Sequence, residues 1–256
     1  MRDRSSTRPG AGDHHARRAA QLLAGLVLYA LSMAMLLHAA LGSMPWDVLS
    51  QGVARHVPLS IGGVTLVTGL LVLLCWIPLR QRPGVGTVAN VVVISALVDP
   101  FLALLDRLPA DLPLLARVGL AIGGVLLNAV ATASYIGARL GPGPRDGLMT
   151  GLVRRTGRSV RLVRSAIEVT VVLSGWALGG TAGLATVLYA LAIGPLVHVL
   201  LPVLSVPVPP APDELPAVDA SSAGAVRSAD EGVRTGTRPG RPAASAAAAG
   251  ASGTRG

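Results

Sequence analysis

At 256 residues the chain has the length of one or two soluble domains, yet 51% of it is hydrophobic, only 14% is charged and its mean hydropathy is +0.60. A soluble domain carries about 25% charge, so this chain cannot coat a water-facing surface; an integral membrane protein remains. The net charge of +9 comes entirely from arginine, and with 3% aromatic residues and no recognition motif it reports membrane orientation rather than nucleic-acid binding.

Glycine has no three-residue period and Cys75 is the one cysteine, which excludes a collagen and a disulfide scaffold. The lysine-free, Ala-, Gly-, Val- and Pro-rich usage fits a GC-rich bacterial genome. Residues 1–19 are polar and arginine-rich and read as a disordered cytoplasmic segment. The apolar run Ala20–Leu41 is too long for a signal-peptide core and predicts a first span. Further spans are predicted over Ile61–Leu79, Val85–Leu105 and Arg117–Ala138. The region Ala166–Leu204 is too long for one span and breaks at Gly179-Gly180-Thr181-Ala182-Gly183, giving spans over Val160–Leu178 and Leu184–Leu204. Residues 205–256 are Pro-, Ala-, Ser- and Gly-rich and predict a disordered tail.

With the N-terminus inside, the inner segments 1–19, 80–84 and 139–164 hold five, two and seven arginines, whereas the outer loops hold Arg55 and Arg107, with Arg117 at a helix end. The positive-inside rule then predicts a multi-pass protein of the bacterial inner membrane with both termini cytoplasmic.

Shifted by 99 residues, the chain matches itself. Leu41–Pro100 and Leu140–Val199 share 18 identities over 60 ungapped positions, including Gly42/Gly141, Pro45/Pro144, Asp47/Asp146, Gly84/Gly183 and Thr87/Thr186. Chance in so biased a composition gives roughly six or seven, so the match marks a duplication. Upstream, Gly25/Gly124, Leu28/Leu127, Ala30/Ala129 and Ala34/Ala133 extend it. An odd number of spans per copy inserts the second copy upside down, as in many secondary transporters. The predicted fold is therefore an all-α polytopic membrane protein of about six transmembrane helices as two inverted three-helix repeats, residues 20–105 and 106–204. A duplication that merely enlarged a bundle is the plainer alternative.

Pro45-Trp46-Asp47 and Pro144-Arg145-Asp146 read as starts of short interfacial or re-entrant helices, with the aspartates as helix caps or as gate elements. Gly84, Gly86 and Thr87 open one span and Gly183 and Thr186 another; such starts favour anions, or else serve tight packing and capping. Asn90, Asp99, Asn128, Glu168 and His198 are polar groups in or near apolar spans, which makes each a pathway candidate. Asp99 and His198 occupy equivalent positions, which suits a proton-linked step, and Glu168 is placed to pair with Arg164. Trp46 and Trp76 read as interfacial anchors and Cys75 as packing. There is no HExxH, no cysteine cluster and no P-loop, so neither an enzyme nor a cofactor is expected.

The run Gly42–Gly52, then Pro83-Gly84-Val85-Gly86-Thr87 and Asp99, resembles the YczE/YyaS/YitT family of bacterial integral membrane proteins, and Gly143–Leu152, Gly175–Gly180 and Ile193-Gly194-Pro195 are similar to it in the second copy. The resemblance covers Leu41 to about Leu204 and implies membrane topology without naming a substrate. The functional expectation is a small-solute transporter or exporter working by alternating access. Its rival is a non-transporting accessory protein that supports a partner or a biosynthetic complex, and a channel would require a continuous polar lining. The expected partners are the lipid bilayer, a small-molecule solute and a second copy in a homodimer.

Overall fold

The computed structural model describes residues 11–109 and 111–206, with side chains from residue 15. Among them the chain forms eight helices: α1 (Ala11–Ala39), α2 (Pro45–Ala54), α3 (Ile61–Trp76), α4 (Val85–Leu105), α5 (Leu114–Gly137), α6 (Pro144–Thr156), α7 (Val160–Ala177) and α8 (Leu184–Leu204). The short helices foreseen after Pro45 and Pro144 are present, each with proline in its first turn, where the missing N–H has no intrahelical partner to lose.

α1, α4, α5 and α8 are long and apolar enough to cross a membrane. α3 is apolar but has 16 residues, and α7 carries Arg161, Arg164 and Glu168. α1 begins at Ala11 rather than near Ala20, so residues 11–19, expected to be disordered, are helical. The reason is tertiary: the Arg18 guanidinium donates from Nε to the Ala138 carbonyl at 2.8 Å and from Nη2 to that of Arg139 at 2.6 Å, closing the open end of α5. Residues 1–10 and the tail from 207 lie outside the described residues.

α1 and α5 form the core pair. Their facing positions are small: Ala30, Ala34, Ala129, Ala131 and Ala133 are all fully buried. A methyl group added to Gly25 would meet the backbone of Ala131 and Tyr135. Close backbone approach through small residues drives helix association where lipid removes the hydrophobic incentive. α4 packs on α1 and α8 on α5, while Leu70, Leu71, Leu74, Leu191, Val199 and Val203 face outward, as a lipid-facing surface requires.

The contacts repeat at the spacing of the duplication. Arg18 caps Ala138 and Arg139, and its equivalent Arg117 donates to the carbonyls of Ala39 and Ala40 at 2.9 and 3.0 Å, so α1 and α5 run antiparallel. The Gly86 amide donates to the Leu140 carbonyl at 2.8 Å, and the equivalent Ala185 amide to that of Leu41 at 3.0 Å. The left-handed backbone positions pair too: Ala40 with Arg139, Gly42 with Gly141, Arg80 with Gly179. At Gly42 and Gly141, φ of 111° and 130° suits glycine alone and turns the chain from each core helix into the following short one.

Each short helix packs on the third helix of the other copy, α2 on α7 and α6 on α3. The two interfaces differ. Between α2 and α7 a methyl group at Gly52, Gly175 or Gly180 would strike backbone atoms of the facing segment. Between α6 and α3 the position equivalent to Gly175 is Trp76, whose ring lies against Gly147 and whose Nε1 donates to the Pro144 carbonyl at 3.0 Å. Trp76 is 1% exposed and is therefore a wedge inside the protein, not the interfacial anchor expected.

Candidate functional site: a polar cavity lined by both copies

A cavity of about 230 Å³ lies where the two copies meet. All three tyrosines of the chain, Tyr29 on α1, Tyr135 on α5 and Tyr189 on α8, line it. So do Trp46, Arg145 and Asp146 from the starts of α2 and α6, Asn90 on α4, and Arg164 and Glu168 on α7. Val91, Ile94 and Ile193 supply apolar wall.

The copies contribute unlike side chains at equivalent positions. Asn90 corresponds to Tyr189, Tyr29 to Asn128, and Trp46 to Arg145. Duplication brought the same backbone to the cavity twice, and divergence gave it two chemistries.

One wall is fixed by a relay of hydrogen bonds. The Tyr189 hydroxyl donates to Asn128 Oδ1 at 2.9 Å, Asn128 Nδ2 donates to Ser32 Oγ at 2.9 Å, and Ser32 Oγ donates to the Tyr29 carbonyl at 2.7 Å. Asn128 is fully buried and lies behind the cavity, so it holds Tyr189 in place rather than lining a pathway. Tyr29 and Tyr135 meet edge to face at 6.3 Å, and the Tyr135 hydroxyl donates to Asp146 Oδ2 at 2.9 Å.

Arg145 is the cation of the site. Its guanidinium lies 5.0 Å from the centre of the Trp46 ring, Nη1 is 3.4 Å from the Tyr29 hydroxyl, and Nη2 is 3.7 Å from Asp47 Oδ1. Asp47 is fully buried, and neither carboxylate oxygen has a hydrogen-bond partner among the described residues. Of the two roles expected for Asp47, cap or gate element, burial removes that of a surface cap: Asp47 sits under the cavity wall with Arg145 as its counter-charge. Asp47 and Asp146 lie on short helices between the spans. Burial pushes the Asp47 carboxyl up to about 6 against the pull of Arg145. Burial also raises Asp146, with the Tyr135 hydrogen bond and Arg164 pulling it back.

The other expected site residues do not converge here. Thr87 and Thr186 are buried and accept the N–H of Gly84 and Gly183 at 3.1 and 3.2 Å. Thr87 also donates to the Pro142 carbonyl at 2.7 Å, and Thr186 accepts the Ser43 amide at 3.1 Å. Gly84, Gly86 and Gly183 press against Leu140 and Leu41. These starts pack and cap, each gripping the turn that leads into the other copy's short helix. Asp99 accepts the Gly62 amide at 3.0 Å and so caps α3 from α4. His198 is exposed on α8. Glu168 accepts from Arg164 Nε at 2.9 Å, as its spacing predicted, and the pair borders the cavity.

The sequence alone presents Trp46 as an interfacial anchor and Arg145 as an inward-facing loop charge, and assigns the tyrosines no role. The signal was present in the self-alignment, where Trp46/Arg145, Tyr29/Asn128 and Asn90/Tyr189 are polar or aromatic exchanges inside apolar surroundings.

Comparison with known proteins agrees with the membrane architecture. Residues 16–202 match the model of a family of unknown function, DUF6198. A Haemophilus influenzae protein described as an uncharacterized protein is 39% identical over 70% of this chain and 84% of its own length. The Bacillus subtilis uncharacterized membrane protein YczE is 31% identical over 70% of this chain and 83% of its own, and the B. subtilis uncharacterized protein YyaS 21% identical over 70% and 90%. No solved structure matches. The chain, helical throughout the secondary structure of its described residues, is a membrane protein of the YczE/YyaS type and belongs to the DUF6198 family.

Proposed function

We propose that this protein carries a small solute across the bacterial inner membrane by alternating access, using the cavity at Arg145 as its binding site. In this reading six helices span the bilayer, α3 and α7 included, as two three-helix repeats inverted relative to one another, with both termini cytoplasmic. The observation that carries it is the pairing of contacts at the duplication interval, above all Arg18 on the end of α5 and Arg117 on the end of α1. Antiparallel equivalents that cap one another support a pseudo-two-fold axis in the membrane plane, which is the plan of many secondary transporters.

The asymmetry of the two short-helix interfaces supports a gate. α2 is sealed on α7 by glycine against backbone, while Trp76 keeps α6 off the backbone of α3. The starts of both short helices line the cavity, and of α7 only the first half does, the part next to the arginine-rich segment. A closed α2 side and a wedged α6 side are the two states that alternating access exchanges.

The test compares metabolite pools of a strain lacking the protein with those of its parent, then measures flux of the altered solutes in proteoliposomes. Flux that Arg145→Gln abolishes supports the carrier. Absence of flux for every altered solute, with stoichiometric co-purification of one partner, replaces it with the accessory role.

A further inference from the structure

We infer that the cavity is a binding site for a small organic monocarboxylate whose carboxylate docks on the open edge of the Arg145 guanidinium. The inference rests on the carrier reading for its physiological use, but binding is measurable apart from flux.

Donors and acceptors in the cavity are unequally engaged. Asp146 has the Tyr135 hydroxyl at 2.9 Å, and Glu168 has Arg164 at 2.9 Å. Asp47 does not line the cavity and is fully buried. Although Thr65 Oγ1 on the wall has no partner among the described residues, the two carboxylates facing the space are already committed, each through one oxygen. Arg145 is not: it has five N–H donors, its polar contacts among the described residues are the two long ones at 3.4 and 3.7 Å, and 31% of its side chain is open.

The guanidinium carbon lies over the Trp46 ring at 5.0 Å, and the fork of uncommitted N–H donors that a guanidinium carries matches the two oxygens of a carboxylate. Trp46 thus backs the cation on which the ligand's charged end docks. The apolar wall of Val91, Ile94 and Ile193 then receives an uncharged body. Size sets the limit. A cavity of about 150 Å³ holds a benzene ring, so about 230 Å³ takes a ring or short chain plus one carboxylate. The second cation on the wall, Arg164, is already paired with Glu168, so among the described residues the site offers one free guanidinium for one carboxylate.

Benzoate, benzamide and benzamidine share one shape and carry negative, zero and positive charge, so they separate charge from fit. Thermal unfolding of the purified full chain in detergent is measured with each at millimolar concentration. Benzoate is expected to raise the unfolding temperature, and benzamide and benzamidine to leave it unchanged. Arg145→Lys keeps the charge but loses the fork, and should weaken benzoate about tenfold. The double variant Arg145→Gln/Asp47→Asn removes both charges of the pair together and should abolish the effect. Trp46→Ala leaves both charges in place and should weaken benzoate about fivefold.

Stabilisation by benzamidine equal to that by benzoate, no stabilisation by benzoate, or stabilisation that persists in the double variant overturns the assignment. Uptake of radiolabelled benzoate into proteoliposomes separates the two claims. Benzoate binding without uptake leaves the ligand class standing and removes the carrier, whereas flux of a cationic solute without benzoate binding does the reverse.

Discussion

Trp46 and Arg145 occupy the same position in the two copies of the duplicated unit, 99 residues apart, and the ring of one lies 5.0 Å from the guanidinium of the other. In the proposed inverted arrangement, equivalent residues touch where they straddle the axis that relates the copies, which would put the cavity on that axis. Its two starting helices carry unlike chemistry because each copy was free to diverge once both faced the same space.

Asp47 and Arg145 should behave as a pair. Arg145→Gln leaves a fully buried carboxylate without a counter-charge and is expected to cost about 2–4 kcal/mol, below the fully buried range because the guanidinium is partly open. Adding Asp47→Asn should restore most of that loss. Melting temperatures of the two single variants and the double variant in one detergent check this, and additive losses would refute the pairing.

Benzoate affinity should fall as pH rises through about 6. Asp47 is held above its ordinary value of 3.8 at about 6, so below that pH the carboxyl carries its proton and leaves Arg145 to the ligand. Above it the ionised carboxylate competes. The folded state binds more protons than the unfolded one between 3.8 and 6, so the contribution of Asp47 to stability declines as pH rises across that window. Asp47→Asn should flatten the affinity profile measured by calorimetry between pH 5 and 8.

Glycine substitutions should divide by interface. Gly175→Ala drives a methyl group into the Val48–Leu49 backbone and should cost about 1–3 kcal/mol while loosening α2 from α7. Gly119→Ala and Gly194→Ala meet nothing within 4 Å and should stabilise their helices by up to about 1 kcal/mol. Opposite signs in thermal unfolding confirm the packing.

Asp99→Ala should cost about 1 kcal/mol through the lost cap on α3 and leave benzoate affinity unchanged. This reverses the weight that the sequence places on Asp99. A buried-looking acid in an apolar run is a pathway candidate by default, and its true partner, the Gly62 amide, is 37 residues away.

That distance explains what the sequence could reveal. Apolar length and the glycine break located the helices closely: α4 and α8 begin and end where expected, since a span is a local property of composition. The duplication was legible because it is a register. The site was legible in part: Asp47, Asn90, Asp146 and Glu168 reach or adjoin the cavity. Arg145 was hidden among the seven arginines of segment 139–164, read as orientation signals, and Trp46 resembled an interfacial anchor, because only tertiary contact distinguishes a guanidinium over a ring from a loop charge. Arg18 looked like a flank for the same reason, although it closes the end of α5.

The most direct measurement is the sidedness of two equivalent positions, Leu59 and Arg158. In a chain with Cys75→Ser, a single cysteine is placed at one or the other and treated with a membrane-impermeant maleimide in intact cells. Opposed insertion of the two copies predicts labelling of Leu59→Cys from outside and of Arg158→Cys only after the membrane is opened. Labelling of both from the same side would contradict it.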